Sequence, residues 1–164
     1  MALCGVVAAG SVRLIDLAFP IVLVVMPGTW TREVLDATFE EYEKLFARGE
    51  RYVLITDTSD EEGNVFAKER RAMADWANQP RVRELSARLC VGTATVVSSP
   101  AQRALLTGLM WFFHPASPLH PVGTLDEATT WALAKAKEAG LTLRSTPEQV
   151  RITLRREVAK VRAA

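Results

Sequence analysis

PIVLVVM (20–26) is apolar at every position, and RYVLITD (51–57) and LCVGTATVV (89–97) are two further largely apolar runs. A strand with one wet face alternates apolar and polar residues, whereas PIVLVVM has no polar side chain to turn toward water. Runs of this kind fold as strands covered on both faces. The segments between them have helical period, so strand and helix alternate along the chain. That order gives a mostly parallel sheet coated by helices.

The remaining elements follow from local signals. VRLIDLAF (12–19) adds a strand ahead of PIVLVVM, and Pro20 separates the two because proline does not fit inside a central strand. Thr31 can N-cap a helix reaching Arg48, with Gly49 just past its end and Leu35, Phe39, Tyr42 and Phe46 on one stripe. A helix from about Asn64 to Asn78 is expected to turn Phe66, Met73, Trp76 and Ala77 inward and to stop before Pro80. Val82, Leu85 and Leu89 mark a shorter helix. Ser99 as N-cap and Pro100 at N1 open another helix, which Pro115 stops.

The loop ASPLHPVG (116–123) has room for one short strand, and Thr124 with Glu127 forms a capping box for a helix ending at Gly140. The last segment repeats this grammar, with Thr146 as N-cap, Pro147 at N1 and Gln149 as box partner. Val150, Leu154, Val158 and Val161 form its apolar stripe. The expected fold is therefore α/β: a single four- to five-stranded mostly parallel sheet with helices packed on it, over residues 1–140. A basic amphipathic helical extension, 141–164, follows.

The length, 164 residues, suits one domain with a sizeable core. Two cysteines, Cys4 and Cys90, make no disulfide framework, and Cys90 at the head of a strand reads as a small buried hydrophobe. The N-terminus lacks the basic stretch of a signal peptide, and no apolar run approaches the ~20 residues of a membrane span. A cytoplasmic protein is expected. Net charge is +1, but it is unevenly spread: residues 141–164 hold six basic and two acidic side chains, leaving 14 basic against 17 acidic in the first 140.

The polar exit of the third strand, Asp57-Thr58-Ser59-Asp60, is the first candidate site. A strand-end aspartate can accept a phosphoryl group when an acidic pair holds Mg²⁺. Only Asp16 is available early in the chain for such a pair, and no Lys-Pro ends a later strand. Three readings stay open: Asp57 and Ser59 cap the backbone where the strand ends, Ser59 or Thr58 is a kinase target, or Asp57 serves a phosphoacceptor or hydrolase. The chain has no nucleophile elbow, Walker loop, dinucleotide fingerprint or metalloprotease helix. His114 and His120 have neither metal-ligand spacing nor a third partner. Hence no enzyme, no metal and no cofactor is expected.

Trp111, Phe112 and Phe113 cannot all face one side of a helix, so one of them meets solvent or a partner. In the C-terminal helix the apolar stripe either docks on its own domain or serves a partner. Arg151, Arg155, Arg156 and Arg162 lie off the stripe. A protein partner or self-association through Trp76, Trp111, Phe112, Arg151, Leu154, Arg155 and Val158 ranks above nucleic acid, since basic residues here are not interleaved with aromatics. Contact of the basic helix with anionic lipid stays open.

The runs PIVLVVMPG, RYVLITDTS, RRAMADW, LCVGTATVVSSPAQRALLTGLMW, the Pro-rich loop and TLDEATTWAL, in that order over residues 12–139, resemble the STAS/SpoIIAA-like superfamily, in its bacterial branch grouped with CRAL-TRIO domains. The resemblance implies a non-catalytic regulatory or scaffold domain of bacterial signalling that acts by protein–protein interaction. An alternative is a small-molecule or lipid carrier of CRAL-TRIO-like type, with a pocket between the sheet and the Arg103–Phe113 helix. Relatives carry a phosphorylated serine in an Asp-Ser-x-Gly turn. Here Asp57-Thr58-Ser59-Asp60 departs from that turn, and Gly63 comes late.

Overall fold

The computed structural model describes residues 13–28, 30–59, 67–109 and 115–163. Five strands form one sheet: β1 (Arg13–Ile15), β2 (Ile21–Val25), β3 (Tyr52–Asp57), β4 (Cys90–Val96) and β5 (Leu119–Val122). They lie side by side in sequence order; β1 runs antiparallel to β2, and β2 through β5 are parallel. Among the described residues six helices accompany the sheet in an α/β fold: α1 (Arg32–Ala47), α2 (Ala67–Ala77), α3 (Pro80–Leu89), α4 (Pro100–Leu109), α5 (Leu125–Glu138) and α6 (Pro147–Ala163). Among the described residues no helix is long and apolar enough to cross a membrane.

The caps form where local chemistry predicts them. Thr31 Oγ1 accepts from the Val34 amide, Thr124 Oγ1 from Glu127, and Thr146 Oγ1 from Gln149, whose side chain in turn accepts from the Thr146 amide. Gly49 and Gly140 have φ of 65° and 68°, the left-handed residue that ends a helix without a Cβ penalty.

Two cores lie on the two faces of the sheet. On one face Ile21, Leu23, Val53, Ile55, Ala94 and Val96 pack against α5 and α6. The helix stripe there is Ala128, Ala132 and Ala136, all fully buried, and their small side chains let α5 approach the strands closely. Gly92 belongs to the same fit: a Cβ at that position would come 2.7 Å from the Trp131 ring. Val150, Leu154 and Val158 of α6 are buried in this core too, so the segment read as an extension shares the core of the domain.

On the other face Val22, Val24, Tyr52, Leu54 and Cys90 pack against α1 and α3. Here the stripe of α1 differs from expectation. Leu35 and Phe46 are buried, together with Val34 and Leu45, but Phe39 and Tyr42 are half-buried. The physical reason is that α1 is covered on two sides: the sheet takes one stripe, and Trp76 of α2 stacks on Phe39 at 4.7 Å. The predicted inward face of α2 is shallower than expected, since Met73 and Trp76 are half-buried and Ala77 is exposed. Phe66 lies outside the described residues.

Candidate functional site

In a parallel sheet the loops beyond the carboxyl ends of the strands converge, and ligand and partner sites gather there. The exits of β3, β4 and β5 meet in this way. The Thr58 amide and hydroxyl both donate to the Val96 carbonyl, at 3.1 and 2.7 Å, so the turn after β3 is fastened to the end of β4. The Val97 amide donates to the Val122 carbonyl, which fastens β4 to β5. Arg103 of α4 donates to the carbonyls of Val97 and Ser98, at 2.6 and 3.0 Å.

Asp57 is the buried group of this region, with 2% of its surface exposed. It faces the α5–α6 side, in register with Val25 and Val96. Its Oδ1 accepts from the Ser59 amide at 3.0 Å and from the Ser59 hydroxyl at 2.5 Å, the local capping arrangement the sequence suggested. Its Oδ2 pairs with the Arg162 guanidinium at 3.0 Å. Arg162 also donates to Ser59 Oγ. The hydroxyl of Ser59 is thus shared between the end of β3 and the last turn of α6.

Both carboxylate oxygens are therefore engaged by protein donors. Burying a charge is tolerated when it is paired and hydrogen-bonded, and this one is both. Asp16, the early acid considered for a metal pair, lies toward the opposite end of the sheet, where Arg48 holds it at 2.7 Å. Sequence reasoning missed Arg162 as a partner of Asp57, since no local pattern links residues 105 apart. The basic excess of the tail was the available signal, but it did not single out one arginine.

The other sequence candidates are dispersed. Trp76 sits in an aromatic cluster with Phe39, Tyr42 and Phe46. Leu154 and Val158 are buried against their own sheet. Arg151 donates to Thr130 Oγ1 at 3.0 Å, and Arg155 holds Asp126 in a bidentate pair at 2.8 Å, both on neighbouring α5. Arg155 keeps the Asp126 carboxyl below its ordinary range. Arg155 is therefore already paired with an opposite charge inside the domain, while Arg151 is engaged only by a neutral hydroxyl. Trp111, Phe112, Phe113 and His114 lie outside the described residues, while the His120 ring stacks on Trp131 at 5.3 Å.

Cys90 is buried, as expected, and burial pushes its thiol up. Among the described residues no group of three or more His, Cys, Asp or Glu is placed to hold a metal ion. Comparison with protein-family models, with curated proteins and with solved structures finds no match for this chain.

Proposed function

We propose that this chain is a non-catalytic regulatory or scaffold domain of the STAS/SpoIIAA-like kind. It acts by protein–protein contact, through self-association or a signalling partner, at the carboxyl end of its sheet. The observation that carries this reading is the shared hydroxyl of Ser59, which joins the central strand to the terminal helix through Asp57 and Arg162. A charge added at Ser59 would meet the Asp57 carboxylate on one side and the Arg162 guanidinium on the other. It would redistribute the Arg162–Asp57 ion pair that ties the end of α6 to the strand end. The order of the strands also supports the family reading: four parallel strands in sequence, with an antiparallel strand ahead of them.

The test is Ser59→Glu in the full chain. Mass by light scattering and crosslinking in the native cell should show self-association or a specific partner for the wild type. The variant should change it about tenfold or more while keeping the wild-type circular dichroism. A wild-type chain that is monomeric and partnerless, or a variant that associates as the wild type does, would sink the reading.

A further inference from the structure

The helix layer over α1, α2 and α3 does not fill the whole of its face. A cavity of about 240 Å³ lies between these helices and strands β3, β4 and β5. Its floor is the reason to regard it as more than a packing gap. Thr56, Thr93 and Thr95 point into it from neighbouring strands, and Ser86 and Ser117 stand at its sides. The opposite wall is aromatic and thioether: Trp76, Tyr42 and Met73. From Gly92 onward along β4 the residues facing α5, Gly92, Ala94 and Val96, are buried, and the intervening Thr93 and Thr95 are only half-buried. The polar positions of that strand therefore serve the cavity.

We propose that this cavity binds a small neutral molecule that has an apolar, ring-sized body and one hydrogen-bonding group. This goes beyond the protein-contact reading and stands on the opposite face of the sheet from Asp57. Size sets the first limit. A water molecule occupies ~30 Å³ of liquid, so the space equals about eight waters, or a ligand of roughly eight to ten non-hydrogen atoms. A lipid with two acyl chains does not fit.

Charge sets the second limit. The described lining contains no Asp, Glu, Lys, Arg or His. Burial pushes the phenols of Tyr42 and Tyr52 and the thiol of Cys90 up, so they stay neutral at physiological pH. An ionised ligand would lose its hydration and find no counter-charge.

Hydrogen bonding sets the third. Thr93 approaches Cys90 Sγ at 3.6 Å, and Thr56 hydrogen-bonds Tyr42. The side-chain hydroxyls of Thr95 and Ser86 have no hydrogen-bond partner among the described residues, so they are available to a ligand's donor or acceptor. The site also differs from the carrier pocket expected from sequence. Its described lining comes from α1, α2 and α3 on the helix side, with no described residue of α4.

The experiment titrates the full chain with indole, p-cresol and 1-hexanol, and with benzoate as the charged comparator, by calorimetry and by amide chemical shifts. At least one neutral probe should bind with a Kd of roughly 10–500 µM. Benzoate should bind at least about tenfold more weakly. Thr95→Val should weaken the bound probe about three- to tenfold, and Ser86→Phe, which fills the space, should abolish binding.

Failure of all three neutral probes overturns the proposal, as does benzoate binding equally well or unchanged binding in Ser86→Phe. If that variant does not fold, the wild-type shifts decide. Perturbations centred on Thr93, Thr95 and Ser117 support the site, and perturbations elsewhere overturn it.

Discussion

The two faces of the sheet are covered by different means. On the α5–α6 face, alanines at four-residue spacing bring one helix down onto the strands, and three aliphatic side chains of α6 close the rest. On the α1–α3 face Val34, Leu45, Phe46, Val82 and Leu89 are buried, but around Trp76 the cover is aromatic and half-buried, stacked side by side, and a cavity remains beneath it. Small residues allow close approach and complete burial. Large flat rings bridge a wider gap and leave space where their edges do not meet. The closely packed face carries the terminal helix, and the looser one has room for a ligand.

The strongest way to break this contrast is to remove residues 147–163. Three buried aliphatic side chains at about 2 kcal/mol each would be lost, most of the stability of an ordinary domain. The shortened chain should show no cooperative thermal transition. A transition near the wild-type midpoint would make α6 an optional cover.

Next in size is a pair of truncations, one per face. Leu154→Ala should cost ~2–5 kcal/mol in urea unfolding, since Leu154 is fully buried. Met73→Ala, at the half-buried cavity wall, should cost less than ~1.5 kcal/mol. Equal costs would mean that the faces are packed alike.

Arg162→Ala should cost about 1–3 kcal/mol. It leaves the Asp57 carboxylate buried without its cation, but the guanidinium is 41% exposed and partly screened. Combined with Ser59→Ala, the two effects should fall short of additivity by at least ~0.5 kcal/mol. Additive losses would show that the two side chains do not act as one unit.

The smallest effect concerns acid. Among the described residues, each face has an exposed ion pair tying two helices: Arg155 of α6 with Asp126 of α5, and Arg81 of α3 with Glu43 of α1. Each arginine, through its hydrogen bonds, holds its carboxyl below the ordinary range. A depressed folded-state pKa contributes stability above the unfolded value, and that contribution is lost as pH falls through the folded one. The thermal midpoint should decline slightly below about pH 4. Arg155→Gln and Arg81→Gln should each flatten part of that decline; an unchanged acid slope in both would mean the pairs are inert.

Much of the fold was legible because it rests on local chemistry. The caps at Thr31, Thr124 and Thr146 involve partners three residues away, and the run of β2 declares burial by having no polar position. The alternation of Thr93 and Thr95 with Ala94 and Val96 was also in plain view. It announced that one face of β4 would not be fully dry, although the run reads first as an apolar strand. What periodicity could not give was the rotation of α1. Whether Phe39 and Tyr42 face the sheet or a neighbouring helix depends on where α2 lies, and that is set by packing.

By itself, then, the sequence determined the element order, the helix ends and the mostly parallel sheet. Each of these follows from steric and hydrogen-bonding preferences acting within a few residues. Only the tertiary structure decided that the stripe of Val150, Leu154 and Val158 closes its own domain, and that Arg162 is the cation of Asp57. It likewise decided that hydroxyls from two strands, from the loop before β5 and from α3 line one cavity. Those are long-range choices. They depend on how whole faces compete for burial, and a buried carboxylate takes whichever cation that competition brings within reach.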